Sequence, residues 1–295
     1  MDHIRIRFTR YSAFYAPLLL AMGAGHLRDE GIEAAYDTVA PDRTLEDGIA
    51  RGEVQVGQSA PAAAFAPQEA GVTLPFRHFA LMNARDGFFL AARTGSGIAT
   101  WADLAGRSIV ADHYFQPMGF LRRALAVRGV DDGRVTFLDA GTPAEMDRAF
   151  RDGTGDILHV QGPAAQQLEA EGLARIVGSV GEAVGPVVFS TLVAGPDWLG
   201  SAVAGRFSAA FGRAREQART ADPGWIADAI APFLPGATRP ALTATIAAYQ
   251  AIGTWEGGLA ITPALFAGTV AVFRFSGHIT RDPSPDGILA PTPGS

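Results

Sequence analysis

The chain of 295 residues contains no cysteine. Disulfides, thiolate nucleophiles and cysteine-based metal sites are therefore excluded. It also contains no lysine, so all 24 basic residues are arginines. A Schiff base to a substrate or cofactor needs a lysine amine and cannot form. No apolar run is long enough to span a bilayer as a helix. The net charge of -6 argues against a nucleic-acid binder, which carries a basic footprint. The G-x-S-x-G, P-loop and H-E-x-x-H motifs are all missing. What remains is an ordinary globular composition, 48% hydrophobic and 18% charged, long enough for two lobes.

The chain opens on an ambiguity. Arg5, Arg7 and Arg10, followed by AFYAPLLLAMGAG, have the outline of a secretory leader. Three features oppose that reading. IRIRF alternates apolar and charged residues, as a half-exposed strand does. Asp2 weakens the positive start. The apolar run continues with Leu18, Leu19, Met22 and Leu27 on one helical face, into RDE and a terminating Gly31. A strand, a loop and a helix, Pro17 to Glu30, are expected. Any export signal is then expected upstream of Met1 or not at all. With one the protein would be periplasmic; as the sequence is written it would be cytoplasmic.

Strands and helices alternate over the next 160 or so residues, which is the pattern of β-α-β units and a largely parallel sheet. IEAAYDTVA, VQVGQS, LPFRHFALMN and GFFLAAR read as strands. Asp42 is placed to cap a short helix that Gly52 ends, and a small-residue helix is expected from Ala60 to Ala70. Thr100 with Asp103, and Thr142 with Glu145, have capping-box spacing. RSIVAD, RVTFLDA, DILHV, ARIVGS and PVVFSTLVAG are further strands. From Pro196 the pattern is helical, and the Pro-, Gly- and Ser-rich end, RDPSPDGILAPTPGS, reads as a loose tail.

The order of these pieces resembles the SsuA/THI5-like (NMT1-type) substrate-binding proteins. That branch of the type II periplasmic-binding-protein fold includes sulfonate, taurine and nitrate receptors and the pyrimidine synthases of thiamine biosynthesis. YAPLLLAMGAGHLRDEGIEAAY is similar to the family's opening helix and second strand. LEDGIARGEVQVGQSAPAAA is similar to its helix, Gly, strand and small-residue turn. NARDGFFLAARTGSGIATWADLAGRSIVA is similar to the crossing strand and D-L-x-G turn that open the second lobe, and AFRDGTGDILHVQGPAA to the later G-x-x-D strand. The resemblance implies an α/β, two-lobed fold with a helical C-terminal extension on lobe one. Lobe one would hold residues 1–93 and 190–295, lobe two residues 94–189, with crossing strands around Arg93 and Thr191 acting as a hinge.

In open α/β sheets, ligands bind beyond the carboxyl ends of strands, where helix N-termini point. The residues that follow each strand are therefore the candidate site. They are Tyr11, Ser12, Phe14 and Tyr15 after the first strand, and Gln58 and Ser59 after the third. Asn83 and Arg85 follow HFALM; His113, Tyr114, Phe115 and Gln116 follow SIVAD; Gln161 follows DILHV. The aromatics could wall a planar or aliphatic ligand, the hydroxyls and amides could orient its polar end, and Arg85 could pair with an anion or with Asp86. His113 beside Asp112 could be an acid–base pair or half a metal site, although no third ligand stands at metal spacing; His159, inside a strand, reads as a satisfied core histidine.

Two classes of function stay open. One is a small-molecule binding protein, the solute receptor of an ABC importer for an organic anion or heterocycle, with an ABC permease as partner and a monomeric state. The other is a cytoplasmic enzyme on the same scaffold, a decarboxylase or lyase of a small aromatic acid or a thiamine-pyrimidine-related protein. The absence of Lys and Cys counts against the synthase and cysteine-desulfinase forms of that second reading. An intracellular sensor or carrier is a third option. No cofactor, metal or nucleic acid is expected.

Overall fold

The structure is a computed structural model and describes residues 1–294. The strands are β1 Asp2–Phe8, β2 Ile32–Thr38, β3 Val56–Ser59, β4 Arg77–Asn83, β5 Phe88–Arg93, β6 Ser108–Val110, β7 Thr136–Leu138, β8 Ile157–Gln161, β9 Ala174–Ser179 and β10 Ser190–Ala194. They form two five-stranded sheets, ordered β2-β1-β3-β10-β4 and β7-β6-β8-β5-β9.

The two sheets repeat one plan. Three parallel strands stand at one side, and the fourth strand runs antiparallel to both its neighbours. That fourth strand comes from the other half of the chain: β10 in the first sheet, β5 in the second. The chain therefore crosses between sheets twice, between Asn83 and Phe88 and between Ser179 and Ser190. The crossing expected at Arg93 lies earlier, because β5 already pairs with β8 and β9. In β1 the alternation of IRIRF sends Ile4 and Ile6 inward, while β4 and β10 are almost wholly buried.

The helices are α1 Ala16–Gly23, α2 His26–Asp29, α3 Leu45–Ala50, α4 Phe65–Glu69, α5 Phe115–Val127, α6 Pro143–Arg151, α7 Ala164–Ala170, α8 Val180–Val184, α9 Pro196–Leu199, α10 Ala202–Thr220, α11 Pro223–Ile230, α12 Arg239–Ala251 and α13 Pro263–Phe275. The single helix expected from Pro17 to Glu30 is two, because Gly25 takes a left-handed φ of 89° and interrupts the hydrogen-bond ladder. The helix expected from Ala60 begins as a 3-10 turn, Pro61–Ala64, before α4. Thr44, not Asp42, caps α3: its Oγ1 accepts from Asp47 N at 3.1 Å. Both capping boxes form.

The C-terminal helices brace both lobes. Thr245 of α12 donates to Gln166 of α7 at 3.0 Å, and Phe273 of α13 packs on Phe115 of α5 with ring centroids 4.8 Å apart. The Tyr249 hydroxyl donates to Gly87 O at 3.0 Å and accepts from Gly162 N at 2.9 Å. Around it Phe14, Phe89 and Trp255 form one aromatic knot between the sheets. Each fully buried ring of this kind contributes about 1.5–3 kcal/mol. Packing at the first crossing is tight enough to need glycine: a Cβ on Gly87 would stand 2.3 Å from the Phe14 ring.

The tail is not loose. Ile288 is buried, His78 N donates to Ile288 O at 2.9 Å, and Ala290 N donates back to His78 O at 2.9 Å. Thr292 Oγ1 donates to Phe79 O at 2.7 Å. The segment straps the outer edge of β4, which would otherwise present unpaired backbone groups.

Candidate functional site

A cleft of about 490 Å³ opens between the lobes, at the carboxyl ends of β1 and β8. The loop after β1 supplies Arg10, Tyr11 and Ser12, and β8 with its following loop supplies His159, Gln161 and Gly162. Phe88 at the start of β5 and Asp112 after β6 complete the inner wall. Met146, Asp147 and Arg151 of α6 stand on one rim, and the loop from Phe233 to Ala237 on another.

Two charged groups meet across the cleft. Arg10 Nη1 donates to Asp112 Oδ2 at 2.8 Å; the carboxylate side chain is 5% exposed and the guanidinium side chain 28%. Asp112 Oδ1 also accepts from Tyr114 N at 3.0 Å. On the rim, Arg151 Nε donates to Asp147 at 2.7 Å and its Nη1 reaches Glu171. The N-terminus of α6 is occupied by its own capping carboxylate, since Glu145 accepts from both Thr142 N and Thr142 Oγ1 at 2.7 Å. The charges of the cleft are thus compensated from within the chain.

The inner wall carries polar atoms of another kind. His159 is fully buried and stacks on Phe88, with centroids 4.4 Å apart and planes at 23°. Among the described residues neither ring nitrogen has a hydrogen-bond partner, and Gln161 Oε1 also lacks one. Burial pushes the His159 pKa down to about 3, so its imidazole is neutral, with one donor and one acceptor nitrogen. The expectation of a satisfied core histidine thus holds for its burial and fails for its hydrogen bonding.

Of the thirteen residues singled out from the sequence, Tyr11, Ser12 and Gln161 reach this cleft. Tyr11 begins an aromatic rim, with its ring 6.1 Å from Tyr36, which in turn lies 5.2 Å from Phe233. Ser12 lines the wall, but its hydroxyl is engaged: it caps Phe14 N at 3.2 Å and donates to Gly162 O at 3.0 Å, tying the two lobes. The others take structural places. Phe14 is enclosed by Phe189 and Tyr249. Tyr15 lies buried beneath the cleft, with its hydroxyl among Thr9, Ser190 and Gln161; burial raises its pKa. Gln58 Oε1 accepts from Thr9 N at 3.0 Å, and Ser59 is buried, its carbonyl taking the Thr191 hydroxyl at 3.5 Å. Asn83 Nδ2 donates to Phe14 O at 2.7 Å.

Arg85 turns to Gly181 O at 3.3 Å, away from the cleft, while Asp86 Oδ1 accepts from Phe88 N at 2.6 Å. His113 Nδ1 lies 2.7 Å from Ala111 O, so it forms no acid–base pair with Asp112. Tyr114 projects from the surface, 75% exposed. Phe115 packs on His278 at 4.4 Å, and Gln116 Nε2 donates to Phe189 O at 2.9 Å. Among the described residues no cluster of three His, Asp or Glu side chains could hold a metal ion.

Sequence reasoning did not place Arg10, Phe88, the α6 face or the Phe233–Ala237 loop in the site, weighed Asp112 there only as a partner of His113, and read His159 as core. The post-strand rule points to Arg10 and Asp112, which directly neighbour residues it selected. Nothing local points to the loop, which joins helices remote in sequence from every strand.

Residues 13–192 match the model of the family described as NMT1/THI5 like. A curated relative, the candidate binding protein YtlA of Bacillus subtilis (strain 168), is 25% identical over 202 residues, 68% of this chain and 60% of its own length. The chain thus matches less than two thirds of that relative. Among solved structures, the ligand-binding component of an ABC-type import system from Staphylococcus aureus, with zinc bound, superposes with a TM-score of 0.77 at 16% identity, covering 100% of this chain and 98% of that one. The alkanesulfonate-binding protein SsuA from Xanthomonas axonopodis pv. citri, bound to MOPS, gives 0.72 at 17% identity, covering 98% of both chains. The desulfurization enzyme DSZB gives 0.69 at 16% identity, covering 99% of this chain and 97% of that one. At such identities the likeness establishes the fold, and one fold carries both receptors and enzymes. The chain belongs to the NMT1/THI5-like family.

Proposed function

We propose that this protein is the solute-binding component of an ABC importer and takes a small organic molecule in the cleft between its lobes. The observation that carries this reading is the cleft itself: aromatic and aliphatic walls around a few buried polar groups, the usual makeup of a small-molecule site. Family membership and the import-system proteins among its structural neighbours support it. The two crossings, residues 84–87 and 185–189, would serve as the hinge, and Tyr11, Gln161, Phe88 and Phe233 would close on the ligand. A monomer that docks on a permease outside the cytoplasm fits the same reading.

Thermal unfolding against a panel of sulfonates, carboxylates, amides and pyrimidines tests it. A ligand present at a hundred times its Kd adds about 2.7 kcal/mol of stability. A Phe88→Ala, Phe233→Ala double variant should abolish that shift while keeping a cooperative transition. If neither the panel nor a cell extract raises the melting temperature, the binding reading falls.

A further inference from the structure

Among the described residues the cleft has no uncommitted cation. Arg10 is matched by Asp112 at 2.8 Å, and Arg151 by Asp147 at 2.7 Å and by Glu171. The helix α6, which starts at the cleft, is capped by its own Glu145. A lone anion entering here would meet a guanidinium whose charge is already matched, and would stand beside the like charge of a carboxylate that is 5% exposed. The atoms of the cleft lining that lack partners are both nitrogens of His159 and the Oε1 of Gln161, on the same strand, with the Phe88 ring stacked on the imidazole, and the Oδ1 of Asp147, a carboxylate oxygen that accepts a donor and repels an anion. Buried polar atoms left without partners call for an explanation, and a ligand that supplies the missing hydrogen bonds is one.

We propose that the cleft selects an uncharged, planar ligand with an amide-like edge, a donor beside an acceptor, over a lone anion of the same shape. The inference rests on the reading that the cleft binds a small molecule. One nitrogen of His159 would donate to the ligand's acceptor, Gln161 Oε1 would accept from its donor, and Phe88 with Tyr11 and Phe233 would cover the flat faces. The Arg10–Asp112 pair would act as a specificity filter, since its mutual neutralisation withdraws the cleft's inner cation from anions.

Isothermal titration with isosteric pairs tests the proposal: nicotinamide against nicotinate, benzamide against benzoate, and orotamide against orotate. The uncharged member of at least one pair should bind tenfold or more tightly than its anion. Asp112→Asn, which frees Arg10, should narrow or reverse that preference. His159→Phe, which keeps a ring on Phe88 but removes both nitrogens, should weaken the uncharged member tenfold and leave the anion unchanged. Equal or tighter binding of the anions by the unaltered protein would overturn the proposal, as would an unchanged preference in Asp112→Asn. Mass spectrometry of ligand captured from a cell extract separates the two levels. An anionic capture overturns the neutral-ligand inference and leaves cleft binding standing; no capture and no binding removes both.

Discussion

Arg10 and Asp112 meet at 2.8 Å although they stand on different lobes, one just after β1 and the other just after β6. The contact joins the two walls of the cleft directly, beside a second tie in which Ser12 donates to Gly162 O at 3.0 Å. The lobes are therefore held together across the cleft by side chains of the chain itself. The two partners are unequal, since the carboxylate is the more deeply buried.

That inequality predicts an asymmetry between variants. Arg10→Gln leaves a buried carboxylate without its cation and should cost about 1–3 kcal/mol in urea unfolding. Asp112→Asn leaves an arginine that can turn toward water, and should cost less. Both should widen the cleft, raising the radius of gyration in X-ray scattering. Equal costs with unchanged scattering would show that the pair does not hold the lobes.

Tyr249 makes a different bridge. Its hydroxyl links the first crossing, at Gly87, to the loop after β8, at Gly162, and it sits on a C-terminal helix. Tyr249→Phe removes both hydrogen bonds without opening a cavity and leaves two buried backbone groups unpaired. The expected loss is about 2–3 kcal/mol, read from denaturant unfolding. A loss under about 0.5 kcal/mol, the low end for a single hydrogen bond, would mean that Gly87 O and Gly162 N find other partners.

These contacts mark the limit of what the sequence makes legible. The capping boxes at Thr100 and Thr142 are readable because both partners lie within four residues. The strands are readable because period-two alternation and continuous apolar runs are local signals. The exchange of β5 and β10 between sheets is not, because a strand's sequence does not name its neighbour. The same holds for the cleft. Gln58, Asn83 and Gln116 have the composition of ligand-binding residues, yet each amide donates to or accepts from backbone that only the folded chain brings near. His159 has the composition of a core residue, and only its lack of hydrogen-bond partners among the described residues sets it apart.

Acid should act through two buried histidines. Burial pushes the pKa of His78, hydrogen-bonded to Thr191 at 2.6 Å, and of His159 down to about 3 from the ordinary 6.5. The unfolded chain then binds more protons than the native one between pH 6.5 and about 3, so stability rises with pH across that window and is lost as pH falls. Each histidine contributes a slope approaching ~1.4 kcal/mol per pH unit. Carboxylates add to the total, so the check is a difference: His159→Phe should unfold with a shallower dependence between about pH 6 and 4.5 than the parent. Parallel curves would mean that His159 takes up its proton in the native state as readily as in the unfolded one.

The C-terminal strap should matter out of proportion to its composition. Ile288 is 2% exposed, and its carbonyl and the Ala290 amide exchange hydrogen bonds with His78 on the outer edge of β4. Ile288→Ala should cost about 2–4 kcal/mol, the usual range for emptying a buried branched side chain. Truncation after Pro283 should do more than destabilise, because it uncovers the β4 backbone as a template for a second chain. Such a truncation is expected to self-associate with rising concentration in analytical ultracentrifugation, while Ile288→Ala stays at the parent's mass. A monodisperse truncation with the parent's melting temperature would show that the strap contributes neither stability nor edge protection.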